Sequence, residues 1–255
     1  MKIVTEIDVA SEIEKRINII DMTGNLIPLK ANAVQLAFEA RVGKRNIVMK
    51  SRQMGFTTWC MARHILFCLM SPNTHSVGVF QNKMAADHAL KTVFRMTGIP
   101  EKKYMEMSNG STYKVLGCNQ VPPRGLPTID NLHISELARY SDEEVLEEVR
   151  HLCSPDCEEI VESAPFGAAG IFYEEWLSAK DRGVVQHFFP WWMNPNYSHF
   201  RVPEKESLTA EECALVARYG LSLEQIGFRR HGRARARIEG SLEGYEESYL
   251  EKVPW

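Results

Sequence analysis

The segment Ile47-Val48-Met49-Lys50-Ser51-Arg52-Gln53-Met54-Gly55-Phe56-Thr57-Thr58 sets the architecture of this chain. Ile47-Val48-Met49 is a short unbroken apolar run, the pattern of a strand buried on both faces. Thr57 to Met70 is the longest apolar stretch, interrupted by Arg63 and His64, and reads as a buried helix that Ser71-Pro72-Asn73 stops. A strand therefore passes through a glycine-containing loop into a helix.

Downstream, strands are expected at Ser76–Phe80, Thr112–Leu116, Ile129–Ile134 and Glu159–Glu162. Helices are expected at Lys83–Met96, with Ala86, Leu90, Val93 and Phe94 on one side, and at Ser141–Leu152, opened by the capping box Ser141…Glu144. Upstream, Ile13, Ile17 and Ile20 fit one helical face, Gly24-Asn25 marks a turn, and Ala33–Val42 reads as a helix ending at Gly43. Strands alternating with helices imply βαβ units and a mostly parallel sheet flanked by helices. Residues 1–190 read as one α/β domain. Residues 191–255 read as a small helical linker subdomain, with one helix at Thr209–Tyr219 (box Thr209…Glu212) and another from Ser222.

Composition narrows the functional classes. The 255 residues carry 30 Lys plus Arg against 33 Asp plus Glu, a net charge of −3, with 44% hydrophobic and 25% charged residues. These values exclude a disordered chain and a protein that binds nucleic acid by bulk charge. No apolar run is long enough to span a membrane, and the N-terminus lacks the pattern of a signal peptide. Six cysteines show no disulfide framework and fit reduced thiols in a cytosol. His151, Cys153 and Cys157 lack the second pair that a structural zinc site needs. No Ser-His-Asp constellation is evident. The one dense basic patch has five arginines in the nine residues Arg229–Arg237. It reads equally as a phosphate contact or as a solvated helix end balanced by Glu239, Glu243, Glu246 and Glu247.

Overlaid on the phosphate-cradling pattern G-x-x-x-x-G-K-[ST], Lys50 takes the first glycine position and Gly55 the second. Phe56 takes the lysine position and Thr57 the hydroxyl position. Loop amides at a helix N-terminus cradle phosphates, a cation reaches their oxygens and a hydroxyl holds Mg²⁺. Phe56 brings no charge, so Lys50 or Arg52 must reach in from the start of the loop. Leu132-His133-Ile134-Ser135-Glu136 then gives a strand ending in a carboxylate, where a Walker B strand carries Asp-Glu. Glu136 takes the water-activating position. Ser135 stands where Asp is expected and contributes a hydroxyl but no charge. A third strand runs into Ser163-Ala164-Pro165, where a polar residue at the tip can sense a γ-phosphate.

Together these stretches resemble the large terminase subunits, the motors that package viral DNA. Lys50 to Thr58 is similar to that family's deviant Walker A, with the cation at the loop's first position. His133 to Ala138 resembles its Walker B, and Glu162-Ser-Ala-Pro-Phe-Gly…Phe172-Tyr-Glu-Glu-Trp176 its coupling motif. Phe188-Phe-Pro-Trp-Trp192 and Leu208-Thr-Ala-Glu-Glu resemble the segments that follow. The resemblance implies a P-loop NTPase (RecA/ASCE-like) fold for residues 1–190 and an ATPase using ATP and Mg²⁺. It places Lys50, Ser51, Arg52, Gln53, Met54, Gly55, Phe56, Thr57 and Thr58 around the nucleotide, Thr57 and Ser135 at Mg²⁺, and Glu136 at the attacking water. It implies adenine reading by Gln35, an arginine finger at Arg124 with Arg52 competing for that role, and coupling through Ser163. The implied partners are double-stranded DNA, a portal ring, the small terminase subunit and further copies in a ring, with no membrane. The implied place is the cytoplasm of an infected cell, docked transiently on the procapsid. Ala164 departs from the Thr usual in the coupling motif. The family's nuclease domain has no counterpart before Trp255, as expected of a truncated chain or one half of a split gene, so no nuclease activity is expected. The rival reading is a catalytically weak nucleotide- or DNA-binding module that partners a separate nuclease chain. A nucleic-acid-stimulated helicase-type ATPase is a third, lacking a second RecA-like domain.

Overall fold

The computed structural model describes residues 7–21, 23–120, 125–140, 144–194, 196–198 and 203–250. Nine strands are defined among them. β1 (Asn18–Ile20) and β2 (Leu26–Pro28) form a separate antiparallel pair. β3 (Arg45–Lys50), β4 (His75–Phe80), β5 (Met105–Glu106), β6 (Thr112–Gly117), β7 (Ile129–Ser135), β8 (Cys153–Ser163) and β9 (Val185–Phe189) form one sheet, in the order β5-β6-β4-β7-β8-β3-β9. Only the short edge strand β5 pairs antiparallel in it; every other pairing is parallel. The helices are α1 (Val9–Arg16), α2 (Ala33–Glu39), α3 (Phe56–Met70), α4 (Lys83–Thr97), α5 (Glu144–His151), α6 (Ile171–Ser178), α7 (Ala210–Tyr219), α8 (Leu223–Ile238) and α9 (Leu242–Ser248).

Parallel strands require both faces covered, and the alternation of side chains sorts the core accordingly. Val48, Ile160 and Phe80 face a core built with α1 to α4. Ile47, Met49, Ile134 and Val161 face a second core built with α5 and α6. α3 is apolar nearly all round because other helices surround it: Trp59, Cys60, Ala62, Ile65, Leu66 and Cys68 are fully buried. Each large side chain so buried contributes roughly 1.5–3 kcal/mol. The capping box expected at Thr209–Glu212 forms and opens α7, and a second box, Ser222–Gln225, opens α8 at the expected Ser222.

Three expected boundaries shift. α1 stops at Arg16 and Ile20 is half exposed in β1, because Asn18-Ile19-Ile20 pair with Leu26–Pro28 across the turn at Gly24. α2 ends at Glu39 rather than Val42. β8 begins six residues before the expected Glu159, and its register against β7 is irregular between Ile129 and Asn131. Pro155 breaks the sequence signal there, since it lacks the donor a ladder uses. The box expected at Ser141–Glu144 lies outside the described residues.

Because β8 lies between β3 and β7, the carboxyl ends of all three strands open at one edge of the sheet. In an open parallel sheet that edge is where ligands bind.

Candidate phosphate-binding site

β3 ends at Lys50, and α3 starts at Phe56. Between them Gly55 is the N-cap, with φ 67°. Two amides hold the loop's end: Gln35 Nε2 donates to the Gly55 carbonyl at 3.0 Å and Asn32 Nδ2 to the Met54 carbonyl at 3.1 Å. A Cβ on Gly55 would stand 3.2 Å from Gln35 Nε2, so glycine satisfies both the left-handed backbone and the close approach. Gln35 is itself buried, and its Oε1 accepts from Asn32 N at 2.8 Å in the capping box of α2. These bonds tie Gln35 to the loop. Ser51 and Met54 are buried, while Arg52 and Gln53 are exposed, Gln53 with φ 52°. Ser51 N donates to the Phe189 carbonyl at 2.9 Å, and Asn194 Nδ2 to the Gln53 carbonyl at 3.4 Å. The Tyr197 hydroxyl donates to the Arg52 carbonyl.

Phe56 occupies the lysine position of the pattern but points into the core, edge-on to Phe38 with ring centroids 5.0 Å apart. The cation in the site is Lys50, only 4% exposed. Its Nζ donates to Glu136 Oε1 at 2.6 Å and lies 3.1 Å from Glu162 Oε2. Burial opposes its charge, yet Glu162 and then Glu136 push its pKa above the ordinary lysine value.

Glu136 sits just beyond β7 with φ 59°. Its backbone N–H donates to the Glu162 carbonyl at 2.7 Å, and its Oε2 accepts from Ala164 N at 3.3 Å and contacts Ser163 Oγ at 3.4 Å. Ser163 is fully buried, donating to the Ala164 carbonyl at 2.7 Å and accepting from Ala138 N at 3.2 Å. Lys50, Glu136 and Ser163 are therefore one connected cluster.

Sequence reasoning missed Glu162. It is fully buried, and β-sheet register sets it beside Ser135 on β7 and Val48 on β3. Its Oε1 accepts from Thr57 Oγ1 at 2.7 Å and Ser135 Oγ at 2.7 Å, and lies 3.3 Å from His133 Nε2. Burial again opposes the charge. Lys50, His133 and Ser135 outweigh it and hold the carboxyl well below its ordinary range. The signal that could have found it is a charged residue, Glu162, ending the apolar run Ile160-Val161.

Thr57, Thr58, Ser135 and Glu136 line one wall of an open cleft, with Asn82, Met84 and His88 of the α4 region across it. Arg52 instead faces a second cleft, with Phe228, His231, Arg235 and Tyr249. Arg124 lies outside the described residues.

No protein-family model matches this sequence, and no curated protein matches it. Among solved structures, the large terminase ATPase domain of Thermus phage P74-26 superposes with a TM-score of 0.60 at 13% identity, over 88% of this chain and 94% of that one. This chain has the fold of a large terminase ATPase domain. A large terminase from the thermophilic bacteriophage D6E matches with a TM-score of 0.50 at 13% identity, over 70% of this chain and 47% of that chain. Within the terminase fold, the basic patch is largely neutralised: Arg229, Arg230, Arg233 and Arg235 pair with Glu211, Glu212, Glu246 and Glu239 at 2.5–2.8 Å. No disulfide joins any of the six cysteines. Among the described residues no helix is long and apolar enough to cross a membrane, and no group of three or more His, Cys, Asp or Glu is placed to hold a metal ion.

Proposed function

We propose that this chain is the ATP-hydrolysing motor domain of a viral large terminase, driving double-stranded DNA into a procapsid. The observation that carries it is the Lys50–Glu136 contact of 2.6 Å beside the N-terminus of α3. A cation and a carboxylate converge where helix amides already favour phosphate. Lys50 and the loop amides from Arg52 to Thr58 bind the β- and γ-phosphates, and Thr57 and Ser135 serve Mg²⁺. Glu136 activates water once phosphate draws Lys50 away from it. Gln35, bonded to the loop at Gly55, reads the adenine. Ser163, in contact with Glu136, couples the phosphate state to residues 191–255, the helical linker subdomain following the 1–190 ATPase domain. An arginine, Arg124 or Arg52, completes the site of a neighbouring copy in a ring on the portal, with the small terminase subunit as a further partner. The setting is the cytoplasm of an infected cell.

The contrary reading, a nucleotide- or DNA-binding module with little turnover, draws on Phe56 in the core and on Glu136 already held by Lys50. Phosphate release from ATP and Mg²⁺, measured across protein concentration for wild type and Glu136→Gln, separates the two. The motor reading expects turnover that rises faster than linearly and falls about 10²–10⁴-fold in the variant, with nucleotide binding kept. Equal background release from both proteins would leave the binding module.

A further inference from the structure

The end of β7 lacks the acidic residue that a magnesium site of this kind needs, and the fully buried Glu162 of β8 stands beside the gap. A hydroxyl has one hydrogen and two lone pairs. Thr57 and Ser135 both give their hydrogens to Glu162 Oε1, each at 2.7 Å. What remains on each is acceptor capacity, the form in which a hydroxyl serves a cation. Glu162 Oε2 has no hydrogen-bond partner among the described residues and points toward Lys50 Nζ, 3.1 Å away. Such a carboxylate, oriented by two hydroxyls and a histidine, with its second oxygen turned into the site and held there by the Lys50 ammonium, fits the outer shell of a divalent ion. Outer-shell partners orient the groups that touch the metal and raise its affinity.

We infer that Glu162 supplies the negative charge of the magnesium shell, displaced by one strand from β7 to β8, and acts by orienting the Thr57 hydroxyl. The inference rests on the ATPase reading. Glu162 is a positioning residue, and Ser135 then serves mainly as its hydrogen-bond donor.

The test uses Mn²⁺ as a probe ion and ADP as the nucleotide. Bound Mn²⁺ is read by electron paramagnetic resonance, and ADP affinity is read by calorimetry with Mg²⁺ and with chelator. Glu162→Gln should weaken Mn²⁺ binding in the ADP complex by about 10–100-fold, while ADP affinity in chelator changes little. Ser135→Ala, which keeps the carboxylate but removes one of the hydrogen bonds that orient it, should weaken Mn²⁺ binding by less than Glu162→Gln does. Glu162→Gln combined with Ser135→Asp returns the charge to β7 and should recover most of the loss. It also separates a metal defect from a folding defect. Wild-type Mn²⁺ binding in Glu162→Gln, or a loss in Ser135→Ala as large as that in Glu162→Gln, would overturn this inference and leave the ATPase reading standing. Absence of divalent-dependent ADP binding in the wild type would overturn both.

Discussion

Two clusters of buried charge lie on the same face of the sheet, at different levels of α3. In the upper one Lys50 stands between Glu136 and Glu162. In the lower one Arg63 stands between Glu39 and Glu158. Arg63 donates to Glu158 through Nε at 2.9 Å and Nη2 at 2.8 Å, and its Nη1 donates to Glu39, whose other oxygen accepts from Trp59 Nε1 at 2.7 Å. Its planar guanidinium matches the carboxylate geometry. Burial opposes the charge on Glu158, but Arg63 and His64 bring its pKa down to about 2. The upper cluster uses a flexible ammonium, one carboxylate that is a third exposed, and one oxygen left without a hydrogen bond. The upper cluster also adjoins a helix N-terminus and an open cleft. A cation saturated by a rigid fork holds two elements together. A cation loosely shared between carboxylates at a helix end can be handed to a ligand.

The comparison predicts unequal responses to removing each cation. Arg63→Met leaves two buried carboxylates unpaired and should cost about 3–5 kcal/mol. At about 2–4 °C per kcal/mol for a chain of this size, the melting temperature should fall by roughly 10 °C. Lys50→Met should cost only about 1–3 kcal/mol, because Thr57, Ser135 and His133 still serve Glu162. It should instead weaken nucleotide binding by about 10–100-fold, measured by calorimetry. Equal destabilisation with binding intact would erase the distinction drawn between the clusters.

Acid sharpens the comparison next. Burial, and then Arg41, lower the pKa of His187 to about 4, beside Asn46 and packed on Phe38. Its neutral form is favoured in the fold, so its contribution is complete above pH 6.5 and is lost as pH falls toward 4. Glu158 follows, its contribution complete above pH 4.5 and lost as pH falls toward 2. Thermal melts against pH should therefore show a first loss of about 3 kcal/mol between 6.5 and 4, absent in His187→Gln, before the lower cluster fails.

Gly55→Ala should cost about 1–2 kcal/mol by forcing a side chain into the left-handed region against Gln35. A melt checks it, and nucleotide affinity should fall with it. The smallest effect is expected at the tail. Arg235 and Glu239 form an exposed pair one helical turn apart, and Arg235→Ala should leave the melting temperature unchanged within error.

Much of the upper site is legible in local patterns. Lys50, Gly55 and Thr57 follow one another through a strand, a loop and a helix start, and Glu136 ends a short apolar strand. Each signal is carried by neighbours in the chain. Gln35 is partly legible, since Asn32 and Gln35 spell a capping box, but its bond to the Gly55 carbonyl spans twenty residues of sequence. The arginine-rich run is ambiguous in sequence. Its glutamates come from α7, α9 and the C-cap of α8, and helix packing selects those of α7 and α9. The early half of β8 is hidden because its neighbours, rather than its own alternation, make it a strand.

The alternation of apolar strands and helices and the glycine loop before α3 were enough to establish a parallel α/β sheet with a phosphate-sized loop at its edge. Both follow from periodicity and backbone sterics acting over a few residues. The partnership of Glu162 with Thr57 and Ser135 follows from the strand order β7-β8-β3 and its register, with Ser135 opposite Glu162 and Glu162 opposite Val48. A shift of one residue would turn the carboxylate to the other face of the sheet. Strand order and register arise from long-range packing, so the charge missing from the end of β7 is found only once the strands lie side by side.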